Sequence, residues 1–403
     1  MPPRGIRFRP PERPLEPGAR WALARAFWSP GAPSPAAEPE TALCAVERLR
    51  LGARVASRIA GATLTAELGA AGAARLREER LAAAARAMHV RTSLREVLAV
   101  ARRLGVAPVL LKLAALDARG ALADGSRGAS DADVLLDRPE AIALRDALRA
   151  EDWRASDARE EEHHLAAVCR PRGVPLEIHT KVPGIRLAGG VDSADAGGLE
   201  RAGLLERATG ELAGARVPVA EVIAAHLLVH GLAQHGASPR AYPMFQPFAD
   251  AIDLGWPGEP GPEAGVRAIA TWVERSVDRP TLEAAARLCS RLAAGDAALL
   301  EETAAASAES ALLHHCVWGM LDEDYRDSLR LSAVASPLSD LPPWRASLRE
   351  LRRAVAPRAS ELIAIYGGRP SFGRILWLRL IRPLDLVART VRTMRSRAQV
   401  RRG

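Results

Sequence analysis

Residues 126–136 read Ser-Arg-Gly-Ala-Ser-Asp-Ala-Asp-Val-Leu-Leu, a segment that begins polar and ends apolar. This pattern predicts a short strand whose first residues line a cleft and whose last residues are buried. In a strand, residues two apart point to the same side, so Asp131 and Asp133 are expected on one face. Two carboxylates at such close range repel each other unless a cation lies between them. The segment therefore predicts a metal site at the edge of a small sheet.

A third carboxylate lies in a second predicted strand. Residues 165–169 and 174–182 are apolar runs separated by Pro171-Arg172-Gly173, which indicates a hairpin. Glu177 and His179, two residues apart in the second run, share one face. If this strand pairs with the first, Glu177 and the two aspartates converge on one or two divalent ions. Mg²⁺ or Mn²⁺ is the expected metal, because hard cations take carboxylate and phosphate oxygens together.

Lysine is rare in this chain and is confined to the neighbourhood of the acids. Of the 56 basic residues only Lys112 and Lys181 are lysines, and they flank the acidic segment. Lys112 follows the apolar run 106–111, which predicts a buried strand. Lys112 and Arg127 are cationic side chains of the kind that hold a polyphosphate, and Ser126 with Gly125 offers a turn for the same purpose. Arg127 paired with Asp131 as a structural ion pair is the alternative.

The sequence resembles the bacterial uncharacterised nucleotidyltransferase family of the DNA polymerase beta-like superfamily. The resemblance covers residues 85–260 and lies in Leu111-Lys112, Arg127-x-x-x-Asp131-x-Asp133-x-Leu135, Leu176-Glu177-x-His179, a helix with His226 and His230, and Phe248–Asp253. It implies a small mixed sheet and metal-dependent transfer of a nucleotidyl group from an NTP to an acceptor. It also implies that Asp131 and Asp133 are metal ligands and that Glu177 is the third carboxylate, near the acceptor hydroxyl. The nucleotide-binding residues expected with them are Lys112, Ser126, Arg127 and His179.

One position departs from that family. Leu113 stands where the family usually has glycine, a residue that lets the backbone approach a phosphate closely. Two hypotheses therefore stay open. The protein is an active nucleotidyltransferase with an unidentified acceptor, or it is an inactive protein of the same fold that serves as a binding or scaffold protein.

The composition favours a mostly α-helical chain with one small sheet. Together with the resemblance it predicts an α+β fold, in which a small mixed β-sheet nucleotidyltransferase core is embedded in that helical chain. The 403 residues are 48% hydrophobic and rich in Ala and Leu, which are strong helix formers. The predicted regions are a Pro/Arg-rich arm at 1–40 with a short docked helix near Trp21, a helical region at 41–105, the α/β core at 106–198, a helical domain at 199–365, and a basic amphipathic tail at 366–403.

The net charge of +8 is local to the C-terminal tail. Residues 371–403 contain nine Arg and one acidic residue, Asp385, so the rest of the chain is close to neutral. This excludes a uniformly basic nucleic-acid binder. The tail is predicted to dock as a helix on its own protein, or alternatively to contact nucleic acid or an anionic membrane. We expect no transmembrane segment, because no apolar run approaches ~18 residues, and we expect a cytoplasmic protein.

The remaining histidines and cysteines suggest packing rather than chemistry. The four cysteines are widely spaced without a CxxC pair, so zinc-ligand spacing is absent. His163 and His164 follow three glutamates and are expected at a solvated, charged edge. His226 and His230 are four residues apart, but Leu227 stands where the zinc-protease pattern needs Glu, so we expect a packed helix face.

Overall fold

The computed structural model describes residues 10–155, 163–171, 173–187, 194–234, 243–256, 262–273, 279–328, 362 and 371–400. The helices are α1 Pro17–Phe27, α2 Pro39–Arg48, α3 Gly52–Arg58, α4 Gly61–Arg103, α5 Lys112–Ala118, α6 Arg138–Ala150, α7 Ala196–Arg201, α8 Ala220–Leu228, α9 Gln246–Asp253, α10 Pro262–Trp272, α11 Arg279–Ala293, α12 Ala297–Glu301, α13 Ala308–Leu321, α14 Glu323–Ser328 and α15 Phe372–Val400. A 3₁₀ turn spans Gly210–Leu212, and a π-helical segment, Val229–Gln234, continues α8. The strands are β1 Val109–Leu110, β2 Ala132–Leu135, β3 Arg154–Ala155, β4 Val168–Cys169, β5 Leu176–His179, β6 Leu205–Arg207 and β7 Arg216–Pro218.

A mixed sheet in the order β3-β4-β5-β2-β1-β7-β6 forms the centre of the α/β part. Strand β2 pairs antiparallel with β1 and parallel with β5, and β4 and β5 form the predicted hairpin. With long helices around this sheet, the structure confirms the predicted α+β class. The predicted helix at 138–150 is also confirmed as α6, with Pro139 in its first turn and Leu144 and Leu148 on its buried face.

Strand β2 is buried on both faces, and its two faces differ in chemistry. Val134 packs with Ile178 in an apolar cluster that includes Leu94 of α4 and Leu144 of α6. Side chains alternate along a strand, so Asp133 and Leu135 point to the other side. Leu135 there joins a second cluster, which is built largely from the N-terminal helices and α8 to α13. The acidic face of the sheet therefore lies toward the helical part of the protein.

The short helix expected within residues 1–40 is α1, and it is part of the main apolar core. Trp21, Phe27 and Trp28 are buried there. Gly18 of α1 lies against the backbone of Thr41 at the start of α2, where an added Cβ would be 2.5 Å from the carbonyl oxygen. The close approach of α1 to α2 thus depends on a residue without a side chain.

Two strands occur in the region that the sequence analysis assigned to helices, residues 199–365. Strand β7 pairs in parallel with β1 through Arg216 and Val109, and β6 pairs antiparallel with β7. The helical prediction is therefore wrong for 205–207 and 216–218. Each strand has only three residues, which is too short for an alternating pattern to appear in the sequence. Among the described residues, no helix combines the length and the apolar character needed to cross a membrane.

We expect Gly18→Ala to destabilise the protein by about 1–3 kcal/mol, because the new methyl group meets the Thr41 carbonyl in a packed interface. Alanine is otherwise the better helix former, so any loss must come from this contact. Gly31→Ala is the matched control, since nothing lies within 4 Å of the added Cβ there. Urea unfolding of both variants measures the difference. Equal midpoints would contradict the packing of α1 on α2.

Candidate functional site

The pairing of β2 with β5 brings the predicted acids together. Asp133 and Glu177 are direct partners in this parallel pair, and Leu135 is the partner of His179. Glu177 and His179 therefore lie on the same face as Asp133, and the expected pairing of the two strands is confirmed. Their ligand atoms, one from each of Asp133, Glu177 and His179, lie within 4.8 Å of one another. We call these three residues the acidic group.

Lys112 follows strand β1 closely in the chain and contacts the acidic group. It is the first residue of α5, and its backbone has φ +48, a left-handed conformation that is uncommon for a residue other than glycine. The turn directs the side chain into the sheet, where Nζ lies 2.7 Å from Asp133 Oδ1 and 3.8 Å from Glu177 Oε2. Lys112 is buried, so this ammonium is held between two carboxylates with little access to water.

His179 links the two carboxylates from the other side. Its Nε2 donates a hydrogen bond to Asp133 Oδ1 at 3.0 Å and lies 3.5 Å from Glu177 Oε2. Burial by itself lowers the pKa of His179, but the hydrogen bonds to Asp133 and Glu177 outweigh burial and raise that pKa. The hydrogen bond from His179 is also the main reason that the pKa of Glu177 is lowered.

The charges of the site are strongly coupled. Burial alone would raise the pKa of Asp133, but Lys112 and His179 hold it far below its ordinary value. Burial would likewise lower the pKa of Lys112, yet Asp133, Asp131 and Glu177 raise it. Asp133, Glu177 and Lys112 are therefore all ionised at neutral pH.

The acidic group suits a divalent cation. Carboxylates are the ligands that Mg²⁺ and Mn²⁺ prefer, whereas an imidazole is a more usual ligand of transition-metal ions. Ligation by His179 would use Nε2, which faces both carboxylates, because Nδ1 lies on the far side of the ring. Lys112 supplies one positive charge to the three carboxylates near it, so a cation would be stabilised here when His179 is neutral.

Asp131 lies beside the acidic group rather than in it. The residue directly precedes β2, is half-buried, and accepts a hydrogen bond from Ser130 Oγ at 3.3 Å. Burial and then the charge of Asp133 raise the pKa of Asp131. Among the described residues, the donors within 4.8 Å of one another do not include its carboxylate. Its role as a metal ligand stays a prediction.

The Arg127 side chain is 9% exposed, and its partner is Asp250 on α9. The distance from Arg127 Nη2 to Asp250 Oδ2 is 3.2 Å, and Gln246 donates to the other oxygen of Asp250 at 2.6 Å. The alternative pairing of Arg127 with Asp131 is therefore wrong. Burial raises the pKa of Asp250 to about 6, and Arg127 only partly offsets this effect. Ser126 is also buried, and its Oγ has no hydrogen-bond partner within the described residues.

Most of these residues lie within a region that matches one protein family. The family described as an uncharacterised nucleotidyltransferase matches residues 35–243, just over half of the chain. The chain belongs to this family. Neither the curated proteins nor the solved structures contain a match. The matched span includes the acidic group and Lys112, whereas Asp250 lies beyond its end.

In this nucleotidyltransferase-family protein, His163 and His164 do not lie at the solvated, charged edge that the sequence analysis expected. His163 and His164 are half-buried, and their rings lie 6.0 and 5.6 Å from the ring of His179. Burial, together with the positive charge of His179, lowers the pKa of His163 to about 3. The signal was present in the sequence, since both residues directly precede the predicted strand at 165–169. The preceding glutamates 160–162 lie outside the described residues.

His226 and His230 form the packed helix face that the sequence predicts. Both are buried, with ring centroids 6.1 Å apart. Burial, followed by the charge of Lys112, lowers the pKa of His226 to about 3, so this ring is neutral at physiological pH. His226 and Lys112 line one small cavity together, so α8 lies beside Lys112.

The raised pKa of Asp250 predicts a pH dependence of stability. The folded-state pKa of Asp250, about 6, exceeds the ordinary value of 3.8. The stabilising contribution of Asp250 to the free energy of unfolding is therefore fully present below pH 3.8 and is lost as pH rises through 6. Asp250→Asn removes this loss, which amounts to at most about 3 kcal/mol. We expect the unfolding free energy of the wild type to fall relative to that of Asp250→Asn between pH 4 and pH 7.

Asp146→Asn, at an exposed aspartate of α6, is the control for this comparison and should keep the wild-type slope. Unfolding free energies from urea titrations at four pH values provide the measurement. Parallel curves for the wild type and Asp250→Asn would show that Asp250 does not titrate in this range.

Proposed function

We propose that this protein is a divalent-metal-dependent nucleotidyltransferase that moves an NMP group from an NTP to a hydroxyl of an unidentified acceptor. The observation that carries the proposal is the convergence of Asp133, Glu177 and His179 on one face of the sheet beside Lys112. Membership of a nucleotidyltransferase family supports the same chemistry. We also propose that the family belongs with the DNA polymerase beta-like enzymes, because acids on neighbouring strands of a small mixed sheet agree with that resemblance.

Asp133, Glu177 and His179 are the residues that would hold the metal, and Asp131 would assist them. Mg²⁺ or Mn²⁺ bound there would stabilise the negative charge that develops on the transferred phosphoryl group. A bound metal would engage the carboxylates that Lys112 contacts. The Lys112 ammonium, with its three donors, would then be available to a phosphate oxygen.

Glu177 is the carboxylate best placed to receive the proton of an acceptor hydroxyl. Its side chain is 29% exposed, whereas that of Asp133 is 3% exposed, so an acceptor can reach only the former with ease. The hydrogen bond from His179 lowers the pKa of Glu177 and keeps it ionised, which is the state that a general base requires. We assign Asp133 to charge compensation and Glu177 to proton acceptance.

A specific observation favours the second candidate, an inactive binding or scaffold protein. Lys112 fills the space between the carboxylates, and the cavity beside it has a volume of about 10 Å³, enough for a single water. Leu113 itself packs in the apolar cluster of Val134 and Ile178, so its side chain does not occupy the acidic group. An active enzyme must therefore move Lys112, whereas a scaffold need not.

Replacing Asp133 with Asn should reduce nucleotidyl transfer roughly hundredfold or more, because even partners of metal ligands contribute 10- to 100-fold. The assay supplies each α-labelled NTP with Mg²⁺ or Mn²⁺ and a heat-treated cell extract as a source of acceptors. Glu177→Gln, a change at a more exposed position, should lower transfer without a loss of stability. Asp146→Asn on the surface of α6 should retain wild-type transfer.

Thermal stabilisation separates the two candidate functions. Binding to the folded state alone raises the melting temperature, so an enzyme should be stabilised by an NTP only when the metal is present. A scaffold with a closed site should show no such shift. Transfer that is equal in the wild type, Asp133→Asn and Glu177→Gln would contradict the assigned roles.

A further inference from the structure

A cleft of about 680 Å³ lies between helix α4 and the loop that leads into β2. Its walls combine cationic and apolar side chains. Among the lining residues are Arg77, Arg80, Leu81, Met88, Leu122 and Arg127. Leu81 and Met88 are 69% and 62% exposed, which is unusual for large apolar residues of a stable helix. We call this feature the arginine cleft.

The loop is held tightly on α4. A Cβ at Gly125 would lie 2.8 Å from the backbone oxygen of Arg80, and Gly125 has φ +72. A Cβ at Gly128 would lie 2.7 Å from Arg86 Nε. Arg80 Nε also donates to the carbonyl of Asp124 at 3.1 Å. The two glycines thus let the backbone that carries Arg127 lie directly against the helix.

Arg127 has hydrogen-bonding capacity that the described residues do not use. Its side chain is 9% exposed, and only Nη2 faces Asp250. Within the described part of the chain, Nε and Nη1 are buried without a hydrogen-bond partner. A buried donor without a partner is costly and rare in native proteins, so such a group indicates a missing ligand. Each of these charged N–H groups can donate to an oxygen of a phosphate.

The charge of the cleft favours an anion. Arg77 and Arg80 donate to backbone carbonyls, and neither forms an ion pair with any described residue. Arg91 is neutralised by Asp117, at 2.6 and 2.7 Å. The only acid that lines the described cleft is Asp124. Two guanidiniums without an acidic partner, those of Arg77 and Arg80, therefore meet one carboxylate beside an exposed apolar wall, and Arg127 adds a third guanidinium whose charge is shared with Asp250.

We propose that the arginine cleft binds the donor NTP, with phosphates on the arginines and the base against Leu81 and Met88. This inference rests on the proposed function. Asp131 is four positions after Arg127, so their Cα atoms are at most about 14 Å apart. An NTP held by Arg127 therefore reaches toward the acids through its phosphates. A volume of about 680 Å³ accommodates a ligand of nucleotide size.

Binding of a fluorescent N-methylanthraniloyl-ATP to the full chain tests the proposal. The double variant Arg77→Gln/Arg80→Gln should raise the Kd roughly tenfold or more, because two charge-assisted contacts are removed from exposed side chains. Inorganic pyrophosphate should compete with the nucleotide in the wild type. Arg95→Gln is the matched control, since Arg95 lies on α4 outside the cleft and faces Glu211.

The possible outcomes separate this inference from the proposed function. If the wild type binds and transfers the nucleotide and the double variant does so equally well, the cleft is not the NTP site, although the transferase proposal stands. If the double variant loses binding while Asp133→Asn binds normally, the cleft is supported whatever the transfer assay shows. Absence of nucleotide binding by the wild type overturns the inference.

A separate observation concerns the exposed face of α15. Apolar residues mostly three or four positions apart form a stripe along this helix, and the stripe residues are between 50% and 85% exposed. They are Phe372, Leu376, Trp377, Leu380, Leu384 and Val387. Leu378, on the opposite side of the helix, is fully buried. The helix therefore packs on the protein through one face and exposes the other face to solvent.

We infer that this stripe binds an anionic phospholipid surface. The segment 371–403 carries nine Arg and one acid, and exposed Arg374 and Arg379 belong to the same helix as the stripe. A basic amphipathic helix with Trp and Phe on its apolar face is typical of interfacial binding. RNA would engage the arginines without requiring the stripe. A second copy of the chain would bring two strongly basic segments together.

Flotation with vesicles of phosphatidylcholine, alone or mixed with phosphatidylglycerol, tests this second inference. The wild type should float only with the mixed vesicles. The double variant Leu376→Glu/Leu380→Glu should remain in the bottom fraction with either kind of vesicle. Leu104→Glu, at an exposed leucine after α4, should float like the wild type. A wild type that ignores both vesicles overturns the inference, as does a stripe-dependent dimer or RNA complex formed without vesicle binding.

Discussion

The contact of the Lys112 ammonium with two carboxylates is the interaction on which the acidic group depends. Removing charges from water is expensive, and a buried pair persists only when geometry and hydrogen bonds compensate for that loss. Here the compensation has three sources: the β2–β5 register, the left-handed turn at Lys112, and the hydrogen bond from His179. A shift of the register by one residue would turn Glu177 and His179 to the opposite face.

The structure keeps its negative and positive functional groups apart. Asp133 and Glu177 lie on β2 and β5, whereas Arg127, Arg77 and Arg80 line the cleft against α4. A nucleotide with its metal carries both kinds of charge, so it can satisfy both places at once. Lys112 is the exception, because it lies between the two carboxylates of the acidic group and limits the net charge there.

Much of the site follows from local patterns in the sequence. The polar-to-apolar segment at 126–136 and the Glu-x-His pair each predict a strand, and α6 appears with its predicted bounds. Strand pairing then follows from few possible arrangements of a small sheet. The sequence contained no comparable signal for the pairing of Arg127 with Asp250, because an ion pair between distant segments produces no periodic pattern in the sequence. Strands β6 and β7 were too short to be detected, and His163 looked solvated beside its acidic neighbours.

The Arg127–Asp250 bridge ties the loop before β2 to α9, which lies outside the family-matched span of 35–243. Truncation at the end of that span would remove the carboxylate that faces the Arg127 guanidinium, in the segment that leads into Asp131 and Asp133. We therefore expect the smallest stable unit of this fold to extend beyond the family-matched span. Helix α9 would then be an integral part of the α/β half rather than the beginning of an appended module.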